Sequence, residues 1–323
     1  MEEIINNLKE ESLYDFSVVI LCYNPDLDKL KKTIISIVKQ VSVTKEIIIA
    51  DDCSKVNYEQ EIKSWITENN IRDVKYSFLK ENVGTVQNIL NALSISQGRY
   101  MKPISPGDYL FDENALLEYK NTFEKEKCDA TFSDSIYYSE YGVVNKRQYP
   151  HNRNVFKSKK LPKTYRLYNT FFLGATICTT KELWIKGLEY FEGKDRLLED
   201  YAIMCYLFFF NYRVVGIDQP LVWYEFGTGV STVTKRSEQL NKDCGAVIAK
   251  FERDYPDDKF IKKMRVKYDI SNVHSFVMRF IKYLFHVPGF LFYKVYRFFH
   301  MPKKYHYDIA QMHDFISLKK EKK

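Results

Sequence analysis

Carboxylates arrive in three places where an apolar run meets a break or a helix. Residues 46–52 read EIIIADD: three isoleucines and an alanine without interruption, then Asp51 and Asp52. Such a run is the pattern of a strand buried on both faces. Open α/β sheets bind ligands in the crevice outside the carboxyl ends of their strands. Acids delivered there can accept hydrogen bonds from a ligand, and they can equally close a turn. Residues 197–200, LLED, set Glu199 and Asp200 ahead of an apolar helical stretch. A carboxylate in that position caps the helix or stands ready to take a proton. Residues 105–108, SPGD, form the most turn-prone tetrad of the chain and carry Asp108.

The elements that must position these acids alternate. Residues 16–22 (FSVVILC) read as a first strand, ended by Tyr23, Asn24 and Pro25. Residues 27–41 carry Leu30, Ile34, Ile37, Val38 and Val41 at helical spacing, and the strand at 47–50 follows. A βαβ unit with parallel pairing is predicted. A helix over 59–68, a strand over 74–79, a break at Asn82, Val83 and Gly84, a helix over 85–96 closed by Gly98, and a strand over 100–104 come next. This alternation predicts a doubly wound, mostly parallel sheet. Beyond it, a helix over 114–127, a strand over 129–132, a Tyr-rich hairpin over 136–149 and a surface loop over 150–168 are expected. Then follow an apolar segment over 172–179, helices over 181–187 and 201–210, and strands over 214–217 and 220–225.

With 323 residues, 45% of them hydrophobic, the chain can build one large α/β domain with an appendage, or two small domains. Six cysteines without paired spacing suggest neither a zinc site nor a disulfide framework, and fit a cytosolic setting. The polar, acidic start has no apolar signal region, and no run approaches the roughly 20 apolar residues of a membrane span, so neither secretion nor spanning is expected. The net charge of +7 is unevenly placed: from residue 261 onward fourteen Lys/Arg stand against four Asp/Glu, and the first 260 residues are slightly acidic. Nothing resembles a groove-reading or base-stacking module, so no nucleic-acid partner is expected.

Taken in order, the FSVVILCYN strand, EIIIADDCS, ENVGTVQNILNALSISQGRY, the turn at 105–108, LLED before a helix, and WYEFGTGVST resemble an inverting family 2 glycosyltransferase. The bacterial members that build capsule, O-antigen or teichoic-acid glycans are the most similar. The resemblance covers roughly residues 16–235. It implies a GT-A fold, a Rossmann-like, mostly parallel sheet flanked by helices, with a lead-in at 1–15 and a helical, basic, aromatic extension at 236–323. It also implies a nucleoside diphosphate sugar as donor, UDP-linked, and a hydroxyl of a lipid-linked or polymeric glycan as acceptor. Tyr23 and Asn24 would line the base pocket, Asp52 would accept the base N–H, and Asp51 would shape the turn beside it. Asn82, Gly84 and Asn88 would meet the nucleotide side. Asp200 takes the place of the catalytic base that deprotonates the acceptor hydroxyl as it attacks opposite the departing diphosphate. Glu199 and Asp134 are the alternatives for that role. Gly174 and Ala175 would form the acceptor side, and residues 226–231 a mobile flap. Trp184 and Trp223 either stack on sugar or belong to the core.

One part of the pattern is broken. The family holds Mg²⁺ or Mn²⁺ on a DxD turn that bridges the donor diphosphate. Counting from Gly98, Arg99 and Tyr100, the two acidic positions fall on Ser105 and Gly107, and only Asp108 remains. Either a metal is held by Asp108 with waters and the diphosphate, or cations such as Lys102, Lys235 and Arg236 meet the charge.

In the basic tail, residues 276–283 set Arg279 and Lys282 on one side, with His286 a turn on, and Phe276, Phe280, Leu284 and Val287 on the other. After Pro288 and Gly289 the scheme repeats with Lys294, Arg297 and His300. Basic aromatic amphipathic helices lie in a membrane interface or pack on protein. An anionic membrane surface met through residues 270–305 is the expected partner, and the inner face of the plasma membrane the expected location. Two rivals stand beside this reading. A sugar nucleotidyltransferase would want a Gly-rich, basic phosphate loop after the first strand, which residues 23–26 (YNPD) are not. A catalytically impaired membrane-bound partner of a glycan-assembly complex is kept open by the SPGD turn.

Overall fold

The central strand forms where the sequence is continuously apolar. In the computed structural model, which describes residues 12–144, 173–191, 198–227, 238–289, 291 and 306–318, β1 (Tyr14–Cys22) runs parallel to β2 (Lys45–Asp51) on one side. On its other side it runs parallel to β4 (Gly98–Ile104). β3 (Val74–Phe78) extends the sheet parallel to β2. Helices α1 (Leu27–Val38), α2 (Glu59–Glu68) and α3 (Thr85–Ser94) make the crossovers. Side chains alternate across the pleat. Val18, Ile20, Ile47 and Ile49 therefore pack on Leu30, Ile34 and Ile37 of α1 on one face. Val19 and Ile48 pack on Ile89 and Leu93 of α3 on the other.

The second half adds β5 (Tyr109–Leu110), α4 (Ala115–Glu126), β6 (Ala130–Ser139), β7 (Gly142–Val143), β8 (Ile177–Thr180), α5 (Lys181–Tyr190), α6 (Glu199–Phe209) and β9 (Val214–Glu225). The strands continue the same sheet in the order β3-β2-β1-β4-β8-β6-β9-β5, with β7 on β6. β8 is antiparallel to both β4 and β6, and β9 is parallel to β6. The carboxyl ends of β1, β2, β4, β6 and β9 thus share one edge with the start of β8.

Several expectations change with long-range packing. Gly98 does not close α3, which ends at Ser94 with Ile95 as its cap; it opens β4, where a Cβ would run into the backbone nitrogen of Ser17. The strands expected at 214–217 and 220–225 are one strand, with register shifts near Asp134 and Pro220, where the proline has no N–H for the ladder. Likewise the strand at 129–132 and the first limb of the hairpin are the single strand β6, which turns back only as β7. The remainder of that hairpin, the 150–168 loop, most of the 226–231 flap, Lys235, Arg236 and the repeat at 290–300 lie largely or wholly outside the described residues.

The C-terminal part comprises α7 (Glu238–Asp254), α8 (Lys259–Ser271), α9 (Phe276–His286) and α10 (Ile309–Ile316). Val247, Ile248 and Phe251 of α7 join the core around α5 and α6. Met312 and Ile316 of α10 cover Tyr109, Ile136 and Trp223. The extension thus packs on α5 and α6 at one place and on the sheet at the other. Among the described residues no helix is long and apolar enough to cross a membrane.

Candidate active site

Two acids end β2 and do different work. Asp51 accepts the Ser54 N–H and the Tyr58 hydroxyl, each at 2.8 Å, and also the Ser54 hydroxyl. That set closes the turn after the strand. Asp52 accepts the Val83 N–H at 2.7 Å and the Gly84 N–H at 2.9 Å, one on each carboxylate oxygen. Asn82 returns a hydrogen bond from its side-chain amide to the Asp52 carbonyl at 3.1 Å. Gly84 has φ +90°, open to glycine, and precedes the first turn of α3. Each carboxylate oxygen has a second acceptor direction, so Asp52 can hold the loop and still accept from a ligand. Asn24 is spent on the same neighbourhood: its N–H donates to Ser54 Oγ and its side-chain oxygen accepts the Lys55 N–H. Tyr23 keeps its ring 52% exposed at this edge. Asn88 lies beneath, buried, donating to the Ala50 carbonyl at 3.0 Å.

The second group surrounds Asp200. Its carboxylate accepts the Tyr201 N–H at 2.7 Å and the Gly174 N–H, while partial burial pushes it up to about 6. A carboxyl poised there can take a proton from a hydroxyl near neutral pH. Gly174 opens the short helical turn Gly174–Thr176, and a Cβ on it would meet Glu199 Oε1 at 2.9 Å. Two buried donors hold this turn from below. Tyr119 donates to the Thr176 carbonyl at 2.8 Å, and the Lys102 ammonium donates to the carbonyls of Ala175 and Pro103.

That placement corrects two expectations, for Lys102 and Trp223, and settles Trp184 as core. Lys102 is fully buried on β4, with burial pulling its pKa down to about 8, and supports the 174–176 turn from inside the protein; it does not reach a nucleotide. Trp223 is 1% exposed, stacked on Phe111, with its indole N–H on the Phe111 carbonyl. It is core under α10 and does not line an acceptor site. Trp184 is buried in the same sense.

The third group is the turn after β4. Asp108 is buried; its carboxylate accepts the Glu225 N–H at 3.0 Å, and its own N–H donates to the Ser105 carbonyl at 2.9 Å. Burial raises its carboxyl to about 7. Gly107 has φ +97°, its carbonyl accepts the Tyr138 hydroxyl, and a Cβ there would strike the Glu225 carboxylate. Glu225, at the end of β9, is bridged at 2.5 Å by Lys29 of α1. Neither residue stood out in the sequence, although Glu225 ends an apolar strand just as Asp51 does. A hard cation needs several oxygen ligands converging on one point. Ser105 and Gly107 bring no carboxylate, Asp108 is turned inward, and among the described residues no group of three His, Cys, Asp or Glu side chains is arranged to hold a metal. The described turn does not fit Mg²⁺ or Mn²⁺.

Known proteins agree with this architecture. The structure resembles S. aureus TarS 1-349 in complex with UDP, at 17% identity and a TM-score of 0.58, over 79% of this chain and 70% of that one. It resembles the same protein in complex with UDP-GlcNAc at 16% identity and a TM-score of 0.59, over 89% and 82%. No curated protein matches the chain in sequence. The sequence profile of glycosyl transferase family 2 matches residues 17–185, more than half of the chain, from the first parallel strand into α5. On this match, with acids gathered at the carboxyl edge of a GT-A-like sheet, the chain belongs to glycosyl transferase family 2 and is a glycosyltransferase.

Proposed function

We propose that this enzyme moves a sugar from a nucleoside diphosphate donor, UDP-linked, to a hydroxyl of a lipid-linked or polymeric glycan with inversion, in the synthesis of cell-surface glycans. The observation that carries the reading is the shared edge. A nucleoside half, with the exposed Tyr23 ring and the doubly anchored Asp52, stands at the ends of β1 and β2. A chemical half, Asp200 on the Gly174 amide, stands at the start of β8 and α6. The fold likeness to TarS bound to UDP and UDP-GlcNAc supports the class of donor. In this mechanism the acceptor hydroxyl gives its proton to Asp200 while its oxygen attacks the anomeric carbon and the diphosphate leaves from the opposite face. Purified enzyme, a panel of nucleotide sugars and lipid-linked acceptors, with diphosphate release and product anomer followed by NMR, tests it. No release from any donor favours the catalytically impaired partner, and a retained anomer removes the inversion.

The proposal includes a membrane. On α9, Val277, Phe280, Ile281, Leu284 and Phe285 are 63, 50, 40, 50 and 75% exposed, and Lys282 and His286 stand on the polar margin. Of the expected apolar side, Val287 is the exception: with Tyr283 it packs inward on Ile270. An apolar arc edged by cations, on the basic part of the chain, fits an anionic leaflet, at about 1 kcal/mol per basic side chain near the surface. Deleting the whole tail is a poor test, because α10 covers Trp223. Flotation of Phe280→Ser/Phe285→Ser with phosphatidylglycerol liposomes is the better one; partitioning equal to wild type would remove the membrane role.

A further inference from the structure

The turn after β4 lacks the carboxylates of a cation site, yet a carboxylate and a cation are both there, supplied by other elements. Glu225 reaches the turn from the end of β9, and its carboxylate occupies the space into which a side chain at residue 107 would project. On that carboxylate sits the ammonium of Lys29, at 2.5 Å, from the first turn of α1. One helical turn further on, Thr33 holds the same loop: its hydroxyl donates to the Asp108 carbonyl at 2.9 Å and accepts the Gly107 N–H at 3.2 Å. Lys29 therefore lies on the crevice side of a helix already fastened to the turn. Glu225 is only 12% exposed and Lys29 33%, so the acid is the inner partner and the ammonium the outer one. Among the described residues, Lys102 of β4 is turned into the core. Charge counting agrees. Two aspartates with a divalent cation sum to zero, and so does one glutamate with one lysine; a diphosphate approaching either meets a positive outer member over a fixed negative inner one.

We infer that the Lys29 ammonium, seated on Glu225 over the Gly107 turn, is the cation that meets the donor's diphosphate, so that nucleoside diphosphate binding by this enzyme needs no divalent metal. This rests on the donor reading above. In transfer the bond from the anomeric carbon to the diphosphate oxygen breaks, its electron pair stays on the diphosphate, and Lys29 faces that growing charge. An ammonium hydrogen-bonded to phosphate oxygen is a charge-assisted contact, and losing it costs about tenfold or more in affinity.

Calorimetric titration of the full chain tests it. UDP, GDP, CDP and dTDP and their four nucleosides are titrated in EDTA and again in MnCl₂. The diphosphate that binds is then compared in wild type, Lys29→Met, Lys29→Arg and Lys29→Met/Glu225→Gln, with thermal unfolding followed in parallel. Expected are a wild-type diphosphate affinity that EDTA leaves unchanged, a drop of about tenfold or more in both Met variants with nucleoside affinity unchanged, and recovery in Lys29→Arg. The double variant leaves no lone buried charge, so a folding defect alone would lower nucleoside and diphosphate binding together. Diphosphate affinity that survives Lys29→Met, or that vanishes in EDTA while the nucleoside still binds, overturns the assignment and leaves the donor reading standing. Wild type that binds no nucleoside or diphosphate overturns both.

Discussion

Gly84 donates its backbone N–H to the Asp52 carboxylate at 2.9 Å, which ties the loop after β3 to the end of β2. The same carboxylate takes the Val83 N–H on its other oxygen. Asp52 is therefore the joint on which the proposed nucleoside side of the crevice is assembled. In Asp52→Asn one oxygen becomes an NH₂ that faces an N–H, leaving one amide unpaired at a cost of about 1–3 kcal/mol. We expect a lower melting temperature together with weaker binding of uridine. If uridine binding is lost with no change in melting, Asp52 contacts the ligand without holding the loop.

Burial pushes the Asp200 carboxyl up to about 6, and general-base work requires the ionised form. Transfer should rise with pH through an acid limb near 6 and level off above it, while donor binding stays flat over that range. Asp200→Asn should keep the fold and the donor and lose transfer by about 10²-fold or more. Residual turnover near the wild-type rate would move the base to Glu199 or Asp134.

Lys102 acts through Gly174. Its ammonium fixes the Ala175 carbonyl, and the adjacent Gly174 N–H holds Asp200. Lys102→Met fills the same volume but leaves that carbonyl without its donor, so the turn relaxes and Asp200 loses part of what favours its charge. The expected result is a lower kcat with the donor KM unchanged and an acid limb moved above 6. A purely structural lysine would lower stability and leave the limb in place.

The parts of this molecule legible in the sequence are those whose partners are near in the chain. β1 to β4 and their crossovers follow from unbroken apolar runs and helical spacing; β1, β2 and β3 each meet their neighbour through a single helix, and β4 returns to the free side of β1. Asp51 and Asp52 stood out because they end such a run. The misreadings share one cause, a partner far along the chain. Lys29 in the first turn of an amphipathic helix reads as a solvated residue, and its partner is 196 positions away. Trp223 looks available until α10, more than eighty residues on, is found covering it. Gly98 has the chemistry of a helix terminator, and its real constraint is the closeness of β1 at Ser17. Lys102 announces charge, and only the 174–176 turn beyond it shows that the charge faces inward.

Asp108 gives the sharpest statement about pH and stability. Burial raises its carboxyl to about 7 in the folded protein, from 3.8. The native state thus binds a proton there that the unfolded state has already released between about pH 4 and pH 7. The stability it lends is present in full below the lower value and is lost as pH rises through the upper one. In Asp108→Asn the group is neutral at every pH, and its side-chain oxygen can still accept the Glu225 N–H. The melting temperature of wild type relative to Asp108→Asn should therefore fall steadily from pH 4.5 to pH 7.5. A difference that stays constant over that range would mean that Asp108 remains ionised in the fold, with Lys29 or Lys102 compensating it more strongly than burial opposes it.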